Sequence, residues 1–388
     1  MNSMIKSIEL KNFKSIKSKY FPLRNLNVLL GLNGQGKSSF IQLLLILRQS
    51  NDSLKQGILR LNGNEFNIGT TKDALYQYTG KNEILSIALS FDDKEPYLMN
   101  FDYTIGSDVF NQTNRQTDVY GEAKNRLDIT QPLFANNFQY LNANRIEPQS
   151  IHKKSYTNVV TMNNIGSQGQ YTVDYLETRG NENVAFKNYI HPKTLSSRSS
   201  HGVVTKDERL INQVNLWMRE ISPDVSVSIT SVSSDLVKLE YEFEQPTYGK
   251  TMAFKPENVG FGISYSLHVV VALLKAKPGD LLIIENPESH IHPRGQAELG
   301  KLIALVAENN VQVIIETHSD HILNGIRVGI KKNPELKDKT ALFYFEKVVT
   351  ESEQYSQISN IEVDKNGELS NYPANLLAEW SNQLLKLL

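Results

Sequence analysis

Leu26-Asn27-Val28-Leu29-Leu30-Gly31-Leu32-Asn33-Gly34-Gln35-Gly36-Lys37-Ser38-Ser39-Phe40-Ile41 runs from an apolar stretch of strand character, through a glycine-rich turn, into a segment of helical period. Ile41, Leu44 and Leu45 place an apolar stripe on that segment at helical spacing. Between strand and helix lies a complete G-x-x-x-x-G-K-S pattern, Gly31 to Ser38. Glycines at these positions let the backbone curl, so that its N–H groups and the helix start face an anion. A lysine at the helix start then reaches the β- and γ-phosphates, and the following hydroxyl suits Mg²⁺. Asn33, Gly34, Gln35, Gly36, Lys37, Ser38 and Ser39 are therefore the expected nucleotide-binding residues, with Ser38 a metal ligand. A nucleotide polyphosphate and Mg²⁺ are the expected ligands.

Working outward, the chemistry expected to accompany such a loop stands some 250 residues later. Leu281-Leu282-Ile283-Ile284-Glu285-Asn286-Pro287-Glu288 is an apolar strand ending in acid, the form of a Walker B strand, with Glu285 as the Mg²⁺-side carboxylate. Val311 to Ile315 gives a second apolar strand, followed by Glu316-Thr317-His318-Ser319. Apolar strands with polar residues at their carboxyl ends are what a parallel sheet offers a ligand. Upstream, Gly260-Phe261-Gly262-Ile263-Ser264 opens a helical stripe of Ile263, Leu267, Val270, Val271 and Leu274. Glycines before a helix N-terminus make an anion site, so Gly260, Gly262 and Ser264 join the candidates.

The rest of the chain sets bounds. With 388 residues it accommodates two domains or one large α/β body carrying an insertion. A net charge of −1 excludes a uniformly basic protein that coats nucleic acid, and the lack of cysteine excludes disulfides, cysteine nucleophiles and zinc–cysteine sites. No run approaches a membrane span, and the expected location is the cytoplasm. Short β-rich runs between Ile58 and Phe101 predict an antiparallel meander, and a polar tract spans Asp102 to Thr130. Residues 142–205, rich in Asn, Ser, Gly, His and Lys and including Thr194 to His201, read as loops or an insertion. A helix is expected around Leu210 to Trp217, with strands near Val225–Ile229 and Leu236–Tyr241. No heptad run supports a long coiled coil. The expected division is 1–150 for the loop-bearing part with a β subdomain, 151–253 for an inserted region, and 254–388 for the second part. His290, His292 and His321 are read as serving loop packing and subunit contact rather than as a zinc set.

The order of these elements resembles the ABC-type AAA family ATPase heads of the SMC, RecF and overcoming-lysogenization-defect (OLD) proteins. The resemblance begins at Lys6-Ser7-Ile8-Glu9-Leu10-Lys11-Asn12-Phe13-Lys14-Ser15 and covers most of the chain. Ile284-Glu285-Asn286-Pro287-Glu288-Ser289-His290-Ile291-His292-Pro293, with Ile315 to Leu323 and the closing Ile361 to Leu369 and Tyr372-Pro373, is similar to a Septu-like subgroup of bacterial anti-phage ATPases. What the resemblance implies is a P-loop NTPase fold of the ABC-head kind, with an antiparallel β subdomain, and ATP as the nucleotide cofactor. It further implies that Gly260–Ser264 is a signature motif meeting the γ-phosphate held by an opposing subunit, and that His318 is the switch histidine. Two heads would then close on ATP as a homodimer or higher oligomer and act on an effector such as a nuclease or toxin, the chain itself being no nuclease. The chain departs from the common pattern at Asn286, where a catalytic glutamate usually follows the Walker B acid. An amide is no general base, so Glu285, Asn286, Glu288 and His318 stand as the catalytic candidates and hydrolysis is expected to be slow. A RecF- or SMC-like ATPase that binds DNA in repair is the alternative.

Overall fold

The computed structural model describes residues 4–80, 84–91, 95–114, 130–198, 204–247, 249–372 and 386. Residues 115–129 of the polar tract, Ser199 to His201, and Pro373 of the closing motif lie outside these. The chain divides into two compact units, one from 1–135, 340–362 and 369–388, the other from 136–339 and 363–368.

In the first unit the strand Leu26–Leu30 is buried at every position, as an apolar run without alternation requires. Its polar member, Asn27, is satisfied locally: the side-chain oxygen accepts from Arg24 N at 2.8 Å and the amide donates to Arg24 O at 2.7 Å. Leu26–Leu30 pairs in parallel with Thr340–Val349, from Leu26↔Thr340 to Leu30↔Tyr344. That strand in turn pairs antiparallel with Gln354–Val363. The helix Lys37–Gln49 packs Phe40 against Phe21, ring centroids 4.4 Å apart. A six-stranded antiparallel sheet runs in the order Ile16–Pro22, Ile5–Phe13, Leu85–Phe91, Tyr97–Asp102, Val109–Gln112, Ile58–Arg60. It contains the meander read from residues 58–101.

In the second unit Leu281–Glu285 lies between Phe138–Leu141 and Gln312–Glu316, parallel to both. The helices Phe261–Leu274, Pro293–Glu308 and Asp320–Lys332 belong to the same unit. Pro293–Glu308 and Asp320–Lys332 approach closely at Gly300 and Gly325, where an added Cβ would strike the carbonyls of Ile322 and Ala297 respectively. A second sheet sets Leu236–Gln245 between Val225–Ser231 and Ile151–Lys153, both antiparallel to it.

The loop reading of 142–205 needs correction, because Thr172–Arg179 is a helix. Tertiary ties fix it: Thr172 Oγ1 lies 2.8 Å from His268 Nδ1, and Asp174 accepts from Ser155 N at 2.7 Å. The longest helix among the described residues, Pro293–Glu308, has 16 residues, so no long coiled coil is present among them. None of the described helices is long and apolar enough to cross a membrane.

Candidate nucleotide site

The glycine-rich turn is a built cradle. Gly31, Gly34 and Gly36 have φ of 133°, 74° and 98°, the left-handed region that side chains disfavour. A Cβ at Gly31 would strike Phe345 O, and one at Gly36 the hydroxyls of Ser15 and Ser356. At Gly34 an added Cβ would have nothing within 4 Å, so the loop is open on that side. Two serines bolt the turn in place. Ser356 Oγ donates to Gln35 O at 2.7 Å and bonds Ser15 Oγ at 2.8 Å, while Ser356 N donates to Ser15 O at 2.8 Å. Lys37 is 2% exposed, and its ammonium donates to Gly31 O and Leu32 O, both at 2.8 Å, which sets its charge within the curl of the loop. No side chain caps the start of the following helix, the condition under which a helix N-terminus takes an anion. Ser38 is half-buried in the first turn beside the buried Ser39, and Asn33 is exposed.

Next to Gly34 opens a cleft of about 1360 Å³, lined by Lys14, Tyr76, Tyr103, Lys347 and Tyr355 among others. Tyr76 is fixed there by a 3.0 Å hydrogen bond from its hydroxyl to Glu353, which also pairs with Lys17 at 2.7 Å. Aromatic rings and lysines beside a phosphate loop suit the base and the sugar-phosphate part of a nucleotide.

The second unit holds its own cluster of acidic and polar side chains. Glu285, at the end of its strand, accepts from Tyr140 Oη at 3.0 Å and from Ala143 N at 3.2 Å. Burial pushes its carboxyl above the usual range, against the opposing pull of those donors and of Arg145. A buried carboxylate held in that balance is a fitting neighbour for a divalent cation. Asn286 has φ 43°; its N donates to Glu316 O at 2.8 Å, and its carbonyl accepts from Ser289 Oγ at 3.0 Å. Asparagine tolerates the left-handed region better than glutamate does, which gives a conformational reason for the departure at this position. Glu288 accepts from His318 N at 2.8 Å through Oε1, while its Oε2 is buried without a partner, as is Asn286 Oδ1. His318 is exposed, and Ser319 beside it caps the next helix by accepting from His321 N and Ile322 N at 3.1 Å. Glu285, Asn286, Glu288 and His318 are thus brought together. Tyr140 and Arg145 belong to the same cluster and escaped the sequence reading. Their signal was a short run of mainly large hydrophobic residues, Phe138-Gln139-Tyr140-Leu141, ending in a polar turn like the other two strands.

Gly260 is the N-cap of Phe261–Leu274. Gly262 lies so close to the His290 carbonyl that a Cβ would collide with it. Ser264 is only 3% exposed, with its Oγ 3.4 Å from Tyr241 Oη. It faces the core, so the outward groups at this helix start are Gly260 and the 53% exposed Phe261. His290 packs its ring on Tyr265, centroids 5.2 Å apart, and His292 caps the helix Pro293–Glu308. Among the described residues no group of three or more His, Asp or Glu is placed to hold a metal ion.

A family model described as "AAA ATPase domain" matches residues 4–193, and one described as "AAA domain, putative AbiEii toxin, Type IV TA system" matches 174–324. The fold is similar to an SMC head solved bound to the C-winged-helix domain of ScpA, with a TM-score of 0.52, 13% identity, and 92% of this chain and 98% of that one covered. It is likewise similar to a Smc head domain with an extended coiled coil bound to the C-terminal domain of ScpA derived from Pyrococcus furiosus, with a TM-score of 0.51, 12% identity and 99% of each chain covered. The fold is thus that of SMC head domains, and models of AAA ATPase domains match successive parts of the chain. A third model, described as "Protein of unknown function (DUF3696)", matches residues 337–387. No curated protein matches its sequence.

Proposed function

We propose that this protein is an SMC/ABC-like ATPase that binds Mg²⁺-ATP on the loop Gly31–Ser39, hydrolyses it slowly with Glu288 as base, and passes nucleotide-dependent self-association on to an effector protein in a bacterial anti-phage system. The observation that carries the reading is the buried Lys37 ammonium inside a loop whose glycines admit no side chain without collision or strain.

Each role follows from position. The loop amides and Lys37 bind the polyphosphate, and the cleft beside Gly34 takes the nucleoside. Within the loop-bearing unit Ser38 would hold Mg²⁺, which when bound neutralises charge on the phosphate oxygens, and Glu285 is the carboxylate of the second unit suited to such a cation. Tyr140 and Ala143 N keep both Glu285 oxygens turned to one orientation. Glu288 Oε2 is the carboxylate oxygen with unspent acceptor capacity, and it takes the proton of the attacking water. Asn286 orients that water. His318 reports the phosphate through the bond from its own N–H to Glu288.

The effector reading is supported by the sequence likeness at 284–293 and 315–323 and by the toxin–antitoxin description of the model matching 174–324. The similar SMC heads were solved with a partner domain bound, which supports a head that docks another protein. Single-turnover hydrolysis of ATP with Mg²⁺ tests the catalytic assignment. Glu288→Gln keeps shape and removes the base, and is expected to lower the rate on the order of 10²-fold without weakening ATP binding. An unchanged rate in Glu288→Gln contradicts the role given to Glu288.

A further inference from the structure

Arg145 is among the largest fully buried side chains of the molecule, at 2% exposure, and no motif accounts for it. It lies beyond Phe138–Leu141, in the turn that also supplies Ala143 N to Glu285. Its Nη2 donates to the Glu285 carbonyl at 2.6 Å and its Nη1 to the Asn286 carbonyl at 3.1 Å, while Nε is buried without a partner. The guanidinium therefore grips the main chain at the point where the strand ends and the left-handed turn at Asn286 begins. Taking a cation out of water costs several kcal/mol, more than a core needs to spend to fill space. The planar fork of arginine matches two adjacent carbonyls in a way a lysine ammonium does not.

Resting on the assignment of this cluster to ATP hydrolysis, we propose that Arg145 is a positioning residue: it fixes the backbone of Glu285 and Asn286 so that Glu288 and the Asn286 amide meet the attacking water. The guanidinium does this through carbonyls, and touches neither nucleotide nor water itself. Groups around it from other elements are Glu288, Tyr265 on the helix Phe261–Leu274, and His268 on the same helix. A displacement of the order of 1 Å at reacting groups is enough to cost about 10²-fold in rate.

The test compares wild type, Arg145→Gln and Arg145→Lys in the full chain by ATP calorimetry, single-turnover hydrolysis with Mg²⁺, and thermal melting. The expected result is an ATP affinity within about twofold of wild type in both variants, since the phosphate loop is untouched. The hydrolysis rate is expected to fall on the order of 10²-fold in Arg145→Gln and less in Arg145→Lys, which retains the charge and one donor nitrogen. Wild-type rates in Arg145→Gln overturn the proposal while leaving the ATPase reading standing. Loss of the cooperative melt, or of ATP binding, in both variants assigns Arg145 to the core alone and also overturns it. If wild type binds ATP but hydrolyses none, the catalytic reading and this proposal fall together.

Discussion

On the proposed mechanism a glutamate in place of Asn286 would make the stronger catalyst, and the φ of 43° shows what the turn asks of that residue. Left-handed backbone costs an ordinary L-residue roughly 1–2 kcal/mol and asparagine less. Asn286→Glu is therefore expected to raise single-turnover hydrolysis about tenfold or more, toward the 10²–10⁴ that a base supplies, and to lower stability by about 1 kcal/mol. Hydrolysis and melting measured on the same sample check both halves. Another single residue contributes to the response to acid. His268 is wholly buried, and desolvation, with Arg145 and His152 nearby, depresses its pKa from 6.5 to about 3. Between those values the unfolded chain binds a proton that the folded chain refuses, so stability falls as pH drops below about 6.5. Within that window the slope from this one group approaches ~1.4 kcal/mol per pH unit, with His152 and His191 shifted the same way. Urea midpoints between pH 7 and pH 4.5 should show this loss, and His268→Gln should flatten it; an equal slope in the variant removes His268 from the account.

At the scale of elements, sequence was a good guide wherever an apolar run had one consistent period. Leu26–Leu30, Leu281–Glu285 and Gln312–Glu316 are buried strands, and Pro293–Glu308 and Leu210–Ile221 are helices, each near the place its pattern indicated. Thr172–Arg179 was hidden because its helical state rests on Thr172 with His268 and Asp174 with Ser155, contacts no local pattern encodes. Arg145 was hidden for a related reason: a lone arginine in a polar turn has no signature until the carbonyls it grips are known. The helix start at Gly260 was legible as glycine-rich, but not the inward direction of Ser264. That direction selects the better probe of association. Gly260 has φ −59°, and an added Cβ there meets nothing within 4 Å, so the isolated head tolerates a side chain. Gly260→Glu places an acid favourably at a helix N-terminus yet opposes a γ-phosphate arriving from another subunit. It should leave melting and ATP affinity unchanged and weaken ATP-dependent association at least tenfold, as like charges brought together across an interface cost several kcal/mol. Light scattering with and without ATP reads this, and wild-type association in Gly260→Glu would remove this helix start from the interface.

For the molecule as a whole, the chain order is the part that sequence conceals most. Leu26–Leu30 takes its partner from Thr340–Val349, and the serine that bolts the phosphate loop, Ser356, comes from the strand after it. The loop-bearing unit is thus completed by the last part of the chain, and its central ladder is non-local, which local periodicity cannot announce. What the whole molecule is built to do rests on one claim, that the loop Gly31–Ser39 holds the phosphates of ATP. Calorimetric titration of Mg²⁺-ATP into wild type and Lys37→Ala, each with a matched circular dichroism spectrum, tests it most directly. Saturable one-site binding by wild type and at least a hundredfold weaker binding by Lys37→Ala are expected, since a desolvated charge–phosphate contact is worth about 2–5 kcal/mol. Equal affinity in the two proteins, or no binding by folded wild type, would contradict it.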